Sequence, residues 1–156
     1  MKREVYKLTS KSNILDRRFN DLAELTKNLR KRYLDELCPG FSTFLQSVWS
    51  DKCIKQKYYF DTIVDIVSMV VHNPAELDKL GNLRLSVPVN RIKQIQDVII
   101  RQPGQKGKRI TIIKCKYGEF YLGRVLSNKY HDYYHAYIIK DEISQSYFLV
   151  FEPITG

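Results

Sequence analysis

Apolar residues in the stretch "SNILDRRFNDLAELTKNLRKRYLDELCPG" recur at Leu15, Phe19, Leu22, Leu25, Leu29, Tyr33 and Leu37. That three-or-four spacing collects them on one face and predicts an amphipathic helix. Ser12 or Asn13 is placed to accept from the free amides of its first turn, Asp16 complements the positive end, and Pro39-Gly40 stops it. Its basic residues have acids one turn away (Arg17 with Asp21, Lys31 with Asp35, Arg32 with Glu36), the arrangement of a solvated face. "FSTFLQSVW" predicts a short second helix, and "KQKYYFDTIVDIVSMVVHNP" a longer third with a broad apolar stripe from Tyr59 to Val71. Pro74 breaks that helix and opens another short one ending near Gly81. His72, at the junction, suits the negative end of a helix dipole and is assigned a structural role.

Beyond Gly81 the texture shifts. "LRLSVPV" predicts a short strand, and "NRIKQIQDVIIRQPG" a helix opened by Asn90, with Ile92, Ile95, Val98 and Ile99 facing the core. From Lys108 onward the period is two. "KRITIIKCKYG", "EFYLGRVLS", "YHAYIIKDE" and "SYFLVFEP" are β-branched and aromatic, and predict four consecutive antiparallel strands. The expected class is α+β, an N-terminal helical part packed on a C-terminal four-stranded antiparallel sheet or small barrel. One domain is expected over 1–156, with a helical lobe about 12–82 and a strand, helix and sheet lobe about 83–156.

Composition narrows the classes. The apolar fraction of 44% and charged fraction of 28% are those of a folded globular chain. "MKREVYKLTS" lacks the apolar segment of a secretion signal, and the greasiest run, "IVDIVSMVV", is short and interrupted by Asp65, so no membrane association is expected. Cys38, Cys53 and Cys115 form no C-x-x-C and read as free thiols in a reducing, cytoplasmic setting.

A net charge of +9 favours polyanionic partners, and its distribution matters more than its size. Over 91–116, eight basic residues face Asp97 alone, whereas the other parts of the chain are closer to balance. Arg101, Lys106, Lys108, Arg109, Lys114 and Lys116 follow one another without an acid between them, and Gly104 and Gly107 let the loop turn amides toward phosphate oxygens. "GQKGK" is not a nucleotide-binding P-loop: Arg109 stands where a magnesium-binding hydroxyl is required, and the loop follows a predicted helix instead of leading into one.

"KYHDYYHAYIIK", residues 129–140, concentrates four tyrosines and two of the three histidines. In an extended chain His131 and His135 share a side but stand about 13 Å apart, at about 3.3 Å per residue, too far for one metal ion. No metal and no cofactor is expected. The segment 117–151 holds ten of the eighteen Tyr and Phe residues; half of an alternating set is core, and the remainder, Tyr133 and Tyr137 among them, offers stacking surfaces for unpaired bases.

The leading expectation is a nucleic-acid-binding protein, RNA favoured over DNA. Arg101, Lys106, Lys108, Arg109, Lys114, Lys116 and Arg124 would hold phosphates, and Tyr133 and Tyr137 would meet bases. The first alternative is a metal-independent ribonuclease, with His131, His135 and Glu119 moving protons and Arg124 stabilising the phosphorane. Helices followed by a four-stranded antiparallel sheet occur in several small ribonuclease toxins, a likeness of architecture that carries no motif. The second is an assembly subunit without catalysis, whose sheet docks on a protein partner.

Overall fold

The computed structural model describes residues 2–9, 13–74, 83–98, 108–122 and 134–154, of which 93–98 and 108–110 as backbone. Strand β1 (Glu4–Lys7) leads into helix α1 (Ile14–Asp35), followed by α2 (Phe41–Trp49), α3 (Lys52–Lys57) and α4 (Phe60–His72). Then come β2 (Arg84–Val87), a 3-10 turn (Val89–Arg91), β3 (Ile92–Val98), β4 (Lys108–Cys115), β5 (Gly118–Leu122), β6 (Tyr134–Asp141) and β7 (Ser146–Pro153).

The predicted stripe of α1 is the one that packs: Leu15, Phe19, Leu22, Leu29 and Tyr33 are buried. The expected side-chain cap is missing at Asn13, and Ser12 lies outside the described residues. At the other end the helix stops before Pro39-Gly40. Leu37 and Cys38 take left-handed φ values of 62° and 54°, Cys38 N–H donates to Tyr33 C=O and Leu37 N–H to Leu34 C=O. This is a Schellman closure with leucine where glycine is usual, and it turns Leu37 out of the stripe into solvent. Of the i,i+4 pairs, Arg32–Glu36 closes at 3.0 Å.

The third predicted helix is two helices. Tyr58 and Tyr59 are extended, with ψ of 152° at both, and separate α3 from α4. Tyr58 buries its ring there, and Asp51 caps α3 through the amides of Cys53 and Ile54. At the end of α4, His72 Nδ1 lies 2.7 Å from Ser68 C=O, and the buried Arg30 of α1 donates to Asn73 C=O, so a cation meets the negative end of the helix. The short helix expected up to Gly81 falls outside the described residues.

Two antiparallel sheets form, ordered β1-β7-β6-β2 and β3-β4-β5. The four strands expected to pair consecutively therefore divide, β4 with β5 and β6 with β7, and the four-stranded sheet is completed by β1 and β2 from earlier in the chain. The second correction is 90–104: its described part is a 3-10 turn and strand β3, not a helix. Ile92, Ile95 and Val98 satisfy helical spacing, but β-branched chains are stiff at χ1 and suit a ladder, and β4 supplies one with Ile92 opposite Ile113 and Ile95 opposite Ile110.

The sheets meet along two seams. Thr9 and Tyr121 exchange backbone hydrogen bonds of 2.8 and 2.9 Å, tying the continuation of β1 to β5, and the 3-10 turn carries β2 directly into β3. No barrel is closed among the described residues. Leu85, Ile138, Leu149 and Phe151 of the larger sheet, Ile113 and Phe120 of the smaller, and Leu22, Ile63 and Val67 of the helices belong to one buried cluster. Each such side chain contributes roughly 1.5–3 kcal/mol on burial.

Candidate functional site

Tyr117, in the turn between β4 and β5, is fully buried, and its phenol ties three elements together. It donates to Ser86 C=O at 3.1 Å, accepts from Tyr59 N–H at 3.3 Å and lies 2.6 Å from Thr62 Oγ1, which itself accepts from Ser86 N–H at 3.0 Å. The first turn of α4 and strand β2 are thereby pinned to the smaller sheet. Gly118 makes the turn possible, since its φ of 137° suits glycine and a Cβ there would lie 3.2 Å from Ile14 Cδ1.

With α4 and β2 so held, Asp65 and Arg84 meet. Arg84 Nε donates to Asp65 Oδ2 at 3.0 Å and its Nη2 to Oδ1 at 3.5 Å, a two-pronged grip. Glu152 of β7 stands 3.8 Å from Nη1, and the guanidinium lies 4.7 Å from the centre of the Tyr137 ring. Burial pushes the Asp65 carboxyl above the usual carboxylate range, outweighing the pull of Arg84. Burial works against the Arg84 charge as well, but the adjacent Asp65 more than offsets it and the guanidinium stays firmly protonated.

A cavity of about 730 Å³ opens beside this clamp. Asp61 and Asp65 line it from α4, Arg84 and Ser86 from β2, Val89 and Asn90 from the 3-10 turn, Tyr134 and His135 from β6, and Glu152 from β7. His135 and Glu152 are direct cross-strand neighbours on one face. Arg84 and Tyr137 also wall a smaller cavity of about 390 Å³ that reaches Arg3 and Met69. The charge in the larger cavity is the reverse of the chain's: three carboxylates against one arginine and the His135 imidazole. Among the described residues, no three His, Cys, Asp or Glu side chains are grouped as a metal ion requires.

The residues singled out in the sequence fall in different places. His135 is exposed at the cavity, and Tyr137, two residues on, is buried with Arg84 over its ring. Lys114 and Glu119 face each other across β4 and β5, both exposed, on the other sheet, and Glu119 accepts from Tyr121 OH at 2.8 Å. Lys116 is tied down: its ammonium donates to the carbonyls of Lys55 and Tyr58 at 2.8 and 3.2 Å, at the end of α3, and lies over the Tyr59 ring. Lys108 and Arg109 belong to β4. Arg101, Lys106, Arg124, His131 and Tyr133 lie outside the described residues.

Sequence reasoning passed over Asp65, Arg84, Asp61, Asn90 and Glu152. One signal was present, an acid inside the apolar run of a buried helix, which demands a partner. Among the described residues, no helix is long and apolar enough to cross a membrane. No family model matches the chain, and no curated protein matches it.

Proposed function

We propose that the protein binds nucleic acid, RNA ahead of DNA, with phosphates held along the cationic 101–116 segment. The observation that carries this reading is the concentration of charge: eight basic residues against one acid over 91–116, in a chain of net charge +9. Within that segment Lys108, Arg109 and Lys114 lie on the central strand of a three-stranded sheet, and Lys114 is exposed. Retention on RNA that weakens with salt is expected, together with its loss in a Lys106→Ala, Lys108→Ala, Arg109→Ala triple variant. Unchanged retention in that variant removes the segment as the contact.

A ribonuclease is the second reading, favoured by one observation: His135 opens on a cavity that also holds Asp65, a carboxyl whose proton affinity is raised by burial. It ranks lower because the described carboxylates of that cavity outnumber its fixed cation, so a phosphorane would meet net negative charge. RNA cleavage in excess EDTA, abolished in His135→Ala while binding survives, would reverse the ranking.

A further inference from the structure

The cavity beside Arg84 disfavours anionic ligands on sign. Phosphate meets Asp61, Asp65 and Glu152, three carboxylates against one arginine. A cationic group meets like charge at Arg84 but is attracted by the three carboxylates, which makes a cation the competing occupant. A neutral planar ligand avoids the penalty on phosphate and can lie on Arg84 without like-charge repulsion. Its volume of about 730 Å³ lies within the ~300–1,000 Å³ of small-molecule sites.

Arg84 is held as a plate. Asp65 grips its edge at 3.0 Å, Glu152 stands 3.8 Å away, and Tyr137 backs the guanidinium at 4.7 Å, while 42% of the side chain remains exposed. A flat guanidinium with one face backed by a ring is a stacking surface for an unpaired base. Asp61, exposed at the start of α4 and part of the cavity wall, has no hydrogen-bond or ion-pair partner among the described residues. A carboxylate offers two acceptors side by side. Guanine alone among the four RNA bases answers with two adjacent donors, N1–H and N2–H, on its pairing edge. Adenine and cytosine set an acceptor beside their amino group, and uracil has one N–H between two carbonyls. The 3-10 turn that supplies Val89 and Asn90 to the cavity also touches β4, so the pocket adjoins the cationic strand.

We propose that this cavity takes one unpaired guanine of an RNA, stacked on Arg84 and hydrogen-bonded along its N1–H and N2–H edge to the Asp61 carboxylate. The proposal rests on the RNA-binding reading, and it assigns base selection to a pocket whose charge disfavours phosphate.

The test uses nucleosides, which carry no phosphate, titrated into the isotope-labelled full chain with the resonances of His135 and Asn90 followed by NMR. Guanosine is expected to shift them saturably, and adenosine and cytidine to bind at least about tenfold more weakly, the discrimination of one bidentate base contact. Asp61→Asn, which replaces one acceptor by a donor, is expected to weaken guanosine about tenfold while leaving the melting curve in place. Equal responses to the three nucleosides, or an Asp61→Asn variant with unchanged guanosine affinity, overturns the proposal. So does displacement of guanosine by agmatine, which would make the cavity a cation site. Retention on poly(U) reads the parent proposal separately: retention with no guanosine response sinks the pocket and leaves RNA binding standing. Guanosine binding without retention of any RNA sinks both as stated.

Discussion

Arg84 and Lys114 are both strand cations, and the fold treats them in opposite ways. Arg84, on β2, is matched by Asp65 from α4 and approached by Glu152 from β7, with Tyr137 at its back. Lys114, on β4, is exposed, with Glu119 across the ladder. The difference follows from desolvation: where an apolar helix packs over a strand edge, a charge survives only with a counter-charge and hydrogen bonds, whereas a charge on an open ribbon stays hydrated and needs neither. Lys116 refines the contrast. Two residues from Lys114 and part of the same acid-free run, it is consumed by the end of α3, so the run does not supply its cations equally.

The largest expected effect lies at Tyr117, which holds α4 and β2 to the smaller sheet. Tyr117→Phe strands the Ser86 carbonyl and the Tyr59 amide in the interior, and a loss of about 2–3 kcal/mol is expected in urea unfolding. Loss below about 1 kcal/mol would mean that the two sheets are not held through this phenol. Arg84→Met leaves Asp65 unpaired. Because both partners are partly exposed, with side chains 42% and 27% accessible, the expected cost is about 1–2 kcal/mol, less than for a fully buried pair. Adding Asp65→Asn should recover most of that loss, and no recovery would show that packing on Tyr137 matters more than charge.

High pH offers a test without mutation. Burial pushes the Tyr58 phenol from 10.0 to about 12, with Asp21 adding to the shift, and Tyr117 and Tyr147 are raised as well, Tyr147 by burial and by the Asp16 that accepts its proton. The unfolded chain begins to lose these protons from about pH 10 while the folded chain keeps them. Stability contributed by the phenols is thus complete below pH 10 and lost as pH rises toward 12, seen as a falling melting temperature. Tyr58→Phe should flatten that fall.

The smallest effects separate the two lysines. Lys116→Ala should cost about 1 kcal/mol through two lost charge-assisted bonds. Lys114→Ala should stay within about 0.5 kcal/mol yet reduce the slope of log affinity against log salt on single-stranded RNA by about 0.7. Equal stability changes in the two would erase the distinction drawn between them.

Local pattern determined the helices: the stripe from Leu15 to Tyr33 and the apolar run from Ile63 to Val70 were legible because a helix repeats its own buried face every few residues. The alternation after Lys108 likewise marked strands, and the acid-free run of cations was visible in the sequence. Which strands would pair was not legible. Ladder partners are chosen across the chain, so β1 joins β7 from the far terminus, and Ile92–Val98 became a strand because β4 was there to receive it. The pocket is wholly a product of the tertiary structure. Asp65 and Arg84 stand 19 residues apart and Glu152 is much farther along the chain. No local rule brings them together; the packing of α4 on β2, fixed by one buried phenol, does.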